Sequence, residues 1–324
     1  MPQATALPPR RRIALVAFPG VQLLDVAGPA DVFEMANSFH PHPLYELLSV
    51  SARGGNTATT SGIDIATIAA DEVAADSLDT LILAGGNRQG LNEAIQDRTL
   101  SAWVRRAAAT ARRFGSVCSG AFALAEWGLL DGLRATTHWA AAAQLQRRYP
   151  DIEVQADAIY VRNGRVWTAG GVTSGIDMCL AMVEEDLGRA VAARVAKQLI
   201  LPVRRLGNQS QFSSLLESQA GRYAQLIDWL RRHLREPLPV ERLAEQVGES
   251  PRSFYRHFQA ETGQSPAAFV EALRLQVARE QLEAGASVKA AARAAGFTSD
   301  EQLSRVFARR CHMTPQQYRV TQRG

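Results

Sequence analysis

The side chain in this 324-residue sequence best placed for chemistry is Cys118, in Ser116-Val117-Cys118-Ser119-Gly120 ahead of the helical run AFALAEWGLL. A short strand that ends in cysteine and turns at once into a helix is an elbow. It presents the thiol at the carboxyl edge of a sheet, where open α/β folds place their sites. The helix N-terminus there favours thiolate over thiol. Gly85-Gly86, directly after the apolar run TLIL, offers backbone N–H groups with the makings of an oxyanion hole. Asp25, in VQLLDVAGPADVF, adds a carboxylate, and His138, in ATTHW, an imidazole. A lone cysteine at a strand end is most often a small buried hydrophobe. The elbow and Asp25 instead favour Cys118 as the wall of a functional pocket, with turnover of a substrate the lesser reading. His138 reads equally as pocket wall or as a hydrogen-bonded structural residue. Cys179, in IDMCLAMVEE, reads as core and Cys311 as packing. No Cys/His spacing suggests zinc, and Gly85-Gly86 lacks the Lys and Ser/Thr of a phosphate loop. No metal, cofactor or catalytic residue is therefore assigned.

These side chains must be positioned by the elements around them. Residues 13–18 (IALVAF), 45–50, 62–68 and 80–83 read as short buried strands, with helical patterns at 27–36 and 100–113 between them. Short apolar strands alternating with helices predict a parallel sheet covered on both faces, a flavodoxin-like α/β domain. Residues 153–168 differ: Asn163-Gly164 is a hairpin turn between two strand-like runs. Residues 175–185 and 188–200 read as helices, and the polar stretch at 201–219 reads as a connection.

The last hundred residues carry a second kind of signal. Residues 288–295 form an Ala-rich helix, Gly296 supplies a left-handed turn, and Ser299 with Gln302 reads as a capping box opening another helix. Upstream, Leu243, Ala244 and Val247 face inward, Gly248 turns, and Ser250-Pro251 caps a helix. Arg256, Phe258 and Pro266 lie 49 residues before Arg305, Phe307 and Pro315, so the figure is repeated. Residues 275–283 form a helix long enough to join the two units. Each unit is a helix-turn-helix, and the expected partner is double-stranded DNA. The first recognition helix displays Arg252, Ser253 and Arg256, and the second displays Glu301 and Arg305. Arginine pairs bidentately with guanine and glutamate accepts from the cytosine amino group, which makes these the base-reading candidates.

Charge agrees with that division. Residues 1–202 hold 18 Lys+Arg against 20 Asp+Glu, and residues 203–324 hold 18 against 12. A basic C-terminal part suits DNA, and a slightly acidic N-terminal part another task. No apolar run reaches eighteen residues, so no membrane span is expected. Three widely spaced cysteines fit a reduced cytoplasm.

AAGFTSDEQLSRVF and TPQQYR, with the upstream repeat, closely resemble the DNA-binding domain of AraC/XylS-type regulators over roughly residues 223–319. His312 stands where that family usually has glycine, which predicts a slightly strained helix end. LLDVAGPADVF, LILAGG, VCSGAFALAEWGLL and ATTHW resemble the ThiJ/PfpI (class I glutamine amidotransferase-like) superfamily over about residues 13–187. TAGGVTSGID and LGNQSQFSSLL resemble the group that joins both parts, the GlxA-type regulators. In enzymes of the superfamily an acid assists the elbow cysteine and a histidine lies close by, positions held here by Asp25, Cys118 and His138. The acid is Asp where Glu is commoner, and Ser119 stands where PfpI-like peptidases carry His.

The Pro- and Arg-rich residues 1–12 read as a disordered leader and the polar residues 201–219 as a linker, with a sensor domain (13–200) between them and a DNA-binding domain (220–324) after. The resemblance implies a cytoplasmic, ligand-responsive regulator, an activator, with RNA polymerase as a partner; if the chain dimerises, the N-terminal domain, with the larger apolar content to share, is the expected contact. The implied effector is a small nitrogenous metabolite, such as an amino acid or quaternary amine, held at Asp25, Gly85, Gly86, Cys118, Ser119 and His138. In that pocket Asp25 stays charged and attracts a cationic group, leaving Cys118 a neutral wall. Two other readings stay open: a cysteine-dependent amidase or glyoxalase-like enzyme tethered to DNA, and a regulator that signals by oxidation of Cys118.

Overall fold

Alternate residues of the first apolar run go to opposite faces of a sheet, and that alternation builds two cores from one strand. The computed structural model describes residues 10–201, 222–283, 285–311 and 313–323. It divides into two units, Met1–Gln209 and Ser210–Gly324. In the first unit the order is β1 (Arg11–Val16), α1 (Leu23–Ser38), β2 (Tyr45–Ser51), β3 (Gly55–Ala58), β4 (Asp64–Ala69) and β5 (Thr80–Leu83). Then follow α2 (Arg88–Gln96), α3 (Arg98–Thr110), β6 (Arg113–Val117), α4 (Gly120–Glu126), β7 (Arg134–Ala135) and α5 (Trp139–Arg148). The unit closes with β8 (Glu153–Val154), β9 (Tyr160–Asn163), β10 (Val166–Ala169), α6 (Ser174–Leu187) and α7 (Arg189–Gln198).

Eight strands form one sheet in the order β3-β4-β2-β1-β5-β6-β10-β9. The inner neighbours are parallel, while β3 against β4 and β9 against β10 run antiparallel at the two edges. The expected parallel sheet is thus mixed at its edges, and the Asn163-Gly164 turn makes one of them. On one face Ala14, Val16, Leu81 and Leu83 pack with Leu91, Trp103 and Phe122 from α2, α3 and α4. On the other, Ile13, Leu15 and Ile82 pack with Phe33, Met178 and Val195 from α1, α6 and α7. Burying each such large side chain contributes about 1.5–3 kcal/mol. Cys179 belongs to that second core.

Several sequence boundaries move. Arg11 and Arg12, assigned to the leader, are the first residues of β1 and pair with Tyr45 and Glu46. The helix expected to reach residue 113 ends at Thr110, because Arg113 opens β6. The strand expected from residue 62 starts at Asp64. The remaining leader residues 1–9, and the connection from residue 202 on, lie outside the described residues.

At the amino-terminal end of the sheet Arg113, 2% exposed, places its guanidinium 2.6 Å from Asp186. Arg11 and Arg112 reach the same carboxylate at 2.7 and 2.9 Å, and the Tyr45 hydroxyl donates to it at 2.9 Å. Burial pushes the Asp186 carboxyl up, but the three guanidiniums prevail and hold it below the usual carboxylate range. A buried charge survives here because it is paired on several sides.

The second unit is helical: α8 (Ala224–His233), α9 (Val240–Gln246), α10 (Pro251–Thr262), α11 (Pro266–Glu283), α12 (Val288–Ala295), α13 (Asp300–Cys311) and α14 (Pro315–Arg323). The joining helix α11 starts well before the expected residue 275; its 18 residues span about 27 Å. Tyr223, Leu230, Leu243, Phe254, Phe258 and Phe269 make the core of the first repeat. Leu303, Phe307 and Tyr318 are buried in the second, where the last two rings stack edge-on at 5.0 Å. Gly296 ends α12 at φ +83°, and a Cβ there would sit 1.9 Å from the Leu234 carbonyl oxygen, so glycine is required twice over. His312 lies outside the described residues. Among the described residues no helix is long and apolar enough to cross a membrane.

Candidate functional site

Strand β1 hands the chain to β2 on one side, and β5 returns on the other side of β1. That reversal opens a crevice at the carboxyl ends of β1, β5, β6 and β10. Asp25, in the first turn of α1, is 1% exposed and accepts a hydrogen bond from the Gly85 N–H at 3.0 Å through Oδ2. Its Oδ1 is buried with no hydrogen-bond partner among the described residues. Burial raises the Asp25 pKa to about 7, opposed by the Gly85 N–H bond and by the nearby Val172 N–H, which makes no well-aligned hydrogen bond to the carboxylate.

Cys118 directly follows β6 at φ +55°, a left-handed conformation that costs a side chain of this kind about 1 kcal/mol or more. Its own N–H donates to the Ala169 carbonyl at 3.0 Å, and its carbonyl accepts from the Thr137 hydroxyl at 2.8 Å. Both bonds hold the strained elbow in place. The thiol does not behave as its place before a helix suggested. Burial, reinforced by the Asp25 carboxylate, pushes its pKa up to about 12, against weaker opposition from N–H groups of Ser119 and Val172 and the Ser119 hydroxyl. Helix α4 is only seven residues long, and its dipole is outweighed. Cys118 is therefore a neutral thiol at pH 7.

The expected oxyanion hole is already filled. The Gly85 N–H is taken by Asp25, and the Gly86 N–H donates to Ser119 Oγ at 3.0 Å while that hydroxyl donates back to the Gly86 carbonyl at 3.2 Å. Of these two N–H groups, that of Gly85 ties the β5–α2 turn to α1 and that of Gly86 ties it to the elbow. A Cβ built on Gly85 would lie 2.8 Å from Cys118 Cβ, which shows how closely that turn and the elbow approach.

His138 caps α5: its Nδ1 accepts from the Ala140 N–H at 3.3 Å. Burial lowers its pKa, so the ring is neutral with its proton on Nε2. A Cβ built on Gly171 would meet His138 Cδ2 at 2.8 Å and Cys118 Sγ at 3.6 Å, so imidazole and thiol converge on that glycine. Asp25, Gly85, Gly86, Cys118, Ser119 and His138 thus gather at one crevice. The β10–α6 loop that closes it, Gly170 to Thr173, is legible in the sequence only for its family resemblance and is not assigned to the site there. Val172 sits there at φ +30°, a strained conformation for a β-branched residue. The available signal was Gly170-Gly171 directly after an apolar strand, the same pattern as Gly85-Gly86.

In the second unit, α10 exposes Arg252 and Arg256 while Phe254 and Phe258 are fully buried. Ser253 is half-buried, and its hydroxyl accepts from the Ser250 hydroxyl at 3.0 Å, so it belongs to the helix cap. Helix α13 exposes Glu301 and Arg305, and its Gln302 N–H donates to Ser299 Oγ at 3.2 Å. Gln302 Oε1 reaches back to the Thr298 N–H at 2.8 Å, one residue earlier than a capping box predicts. Lys289 and Arg293, unremarked in the sequence, line a cavity of about 550 Å³ with Ser287 and Thr298 at the turn between α12 and α13.

The DJ-1/PfpI family model matches residues 11–185, and a helix-turn-helix domain model matches residues 243–321. The HTH-type transcriptional regulator CdhR of Pseudomonas aeruginosa is 29% identical over 308 residues, covering 93% of this chain and 89% of that protein. The HTH-type transcriptional regulator GlxA of Rhizobium meliloti is 28% identical, covering 94% of each. Isonitrile hydratase of Pseudomonas putida is 33% identical over 195 residues, 58% of this chain and 77% of that enzyme. Among solved structures, a ThiJ/PfpI family protein from Pseudomonas syringae superposes with a TM-score of 0.53 at 27% identity, over 61% of this chain and 78% of that one.

Proposed function

Because this chain belongs to the DJ-1/PfpI family and carries a helix-turn-helix domain after it, we propose that it is a DNA-binding transcription regulator whose α/β unit senses a small effector. The observation that carries this is the pairing of two recognition helices, each with an exposed arginine, with a buried polar crevice in a separate unit. The HTH-type regulators matched along most of their length have the same two-part order. We place the effector at the crevice formed by Asp25, Cys118, His138 and Gly171. The orphaned Asp25 Oδ1 asks for a hydrogen-bond donor. A primary or secondary amine supplies an N–H there, whereas a quaternary ammonium has none, so of the two effector classes anticipated from sequence the former suits the site. Binding of a charged amine draws Asp25 into its carboxylate form and leaves Cys118 a neutral wall. The protein acts in the cytoplasm, recruits RNA polymerase as an activator, and dimerises through the α/β unit.

The test starts from duplexes selected by the purified chain out of a random pool. Their footprint is then compared with and without a panel of amino acids and amines. A footprint or affinity that responds to an amine, is lost in Asp25→Asn and survives in Cys118→Ser supports the reading. Response lost in Cys118→Ser but normal in Asp25→Asn overturns the amine pocket.

One observation favours a second reading: the strained Cys118 elbow beside Asp25, whose pKa burial raises, in a chain 33% identical over 195 residues to an isonitrile hydratase. Against turnover stand the high pKa of the thiol and the occupied Gly85 and Gly86 N–H groups. The same high pKa argues against a thiol poised for oxidation. Incubation with an alkyl isonitrile should form no N-alkylformamide by addition of water; formation that Cys118→Ala abolishes would reinstate the enzyme.

A further inference from the structure

Glu249 lies in the turn between α9 and α10, immediately before the Ser250 cap, and its side chain is 7% exposed. Each of its carboxylate oxygens has a separate task. Oε1 accepts from the Tyr223 hydroxyl at 2.8 Å and from Arg222 at 3.1 Å. Tyr223 is itself fully buried, its ring edge-on to Phe254 at 5.5 Å and tilted against Phe258 at 5.2 Å. Oε2 meets His257 Nδ1 at 2.9 Å, on α10. The other ring nitrogen of His257, Nε2, lies 3.2 Å from a terminal nitrogen of Arg256.

The chemistry of the partners fixes the protons. A carboxylate only accepts, so His257 Nδ1 carries a hydrogen and donates it to Glu249. A guanidinium only donates, so His257 Nε2 is bare and accepts from Arg256. His257 therefore bridges the two groups in one tautomer, selected by Glu249, and that tautomer is the one able to hold the Arg256 guanidinium. Without the carboxylate the ring is free to put its proton on Nε2, which would then face the positive Arg256.

We propose that Glu249 is a positioning residue for base recognition: through the His257 tautomer it holds Arg256 of the first recognition helix in the orientation that reads DNA. The inference rests on the reading of α10 as a recognition helix with Arg256 facing a base. Glu249 makes no DNA contact itself. In Glu249→Gln the amide oxygen stays with its two donors, Tyr223 and Arg222, and the amide NH2 turns toward His257. That arrangement favours the wrong tautomer and releases Arg256.

The experiment uses the full chain and the duplex it selects from a random pool. Dissociation constants are measured for that duplex and every single-base-pair variant, with wild type, Arg256→Ala, Glu249→Gln and Arg305→Ala. Arg256→Ala should flatten discrimination at one or two base pairs, where a bidentate arginine is worth about tenfold or more. Glu249→Gln should flatten the same base pairs to about threefold or less and leave those sensitive to Arg305→Ala unchanged. Nitrogen NMR of the His257 ring should show the Nδ1–H form in wild type and the Nε2–H form in Glu249→Gln. His257→Phe, which keeps the ring but removes the acceptor, should flatten the same positions and serves if Glu249→Gln does not fold. Full discrimination in Glu249→Gln or His257→Phe overturns the proposal, as does an equal loss at every base pair. If Arg256→Ala itself flattens nothing, the base-reading assignment of Arg256 fails first and the proposal falls with it. If no sequence is selected at all, the regulator reading is what fails.

Discussion

Replacing Asp25 by Asn should make the α/β unit more stable, and increasingly so as pH rises. The folded chain raises the Asp25 pKa from 3.8 to about 7, because the carboxyl is buried with one oxygen unpaired. A group whose folded pKa lies above its unfolded value contributes stability that is full below about pH 4 and is lost as pH climbs through about 7. At 1.36 kcal/mol per pKa unit the whole loss is about 4 kcal/mol. Part of it has already occurred by pH 5, leaving about 2–3 kcal/mol to be lost between pH 5 and pH 8. Asparagine keeps an oxygen for the Gly85 N–H and cannot ionise, so it escapes that loss. Denaturant unfolding of wild type and Asp25→Asn, followed by tryptophan fluorescence at pH 5, 6, 7 and 8, measures the gap directly. Trp103, Trp127 and Trp167 are buried in the α/β unit and report on it. A gap that widens by about 2–3 kcal/mol in favour of Asp25→Asn is the expected result. A gap independent of pH, or one that narrows, would mean that Asp25 is an ordinary carboxylate, and the effector argument built on its buried oxygen would go with it.

Other tests are shorter. With its thiol pKa near 12, Cys118 should react with iodoacetamide far more slowly at pH 8 than a free cysteine, and Asp25→Asn should quicken it. Equal rates by mass spectrometry of the alkylated peptide would contradict the burial argument. Asp186→Ala should destabilise the α/β unit by about 3–5 kcal/mol, because Arg113 is left buried without its counter-ion. A loss under about 1 kcal/mol in thermal unfolding would place the cluster among ordinary surface pairs. Arg305→Ala should cost about 1–3 kcal/mol on the selected duplex and relax preference at one base position. Five base pairs inserted between half-elements spaced about ten base pairs apart should abolish binding if both recognition helices engage. Retained affinity in anisotropy titrations would assign DNA contact to one repeat alone.

The helical unit was legible because its signals are local. Gly296 beside Ser299 and Gln302, and Ser250-Pro251 before an aromatic helix, depend on backbone conformations that neighbouring residues dictate. A repeat of 49 residues then said that the pattern occurs twice. Glu249 escaped notice since nothing local distinguishes it: its partners lie 26 residues earlier and 8 later.

In the α/β unit the sequence by itself determined which residues end strands, and so which side chains reach the carboxyl edge of the sheet. Cys118, Asp25 and Gly85 could be named because strand ends and helix starts leave marks in composition, whereas His138 was named from the ATTHW segment and its family resemblance. Their protonation and hydrogen bonding were decided only by the tertiary structure. Burial overrode the helix dipole at Cys118 and raised both acids, while Asp25 and Ser119 consumed the N–H groups that the glycines offered. The Asp186 cluster is of the same kind, joining Arg11, Tyr45, Arg112 and Arg113 from chain positions far apart. Desolvation and pairing depend on what surrounds a group in three dimensions, and a linear pattern of residue types does not contain that information.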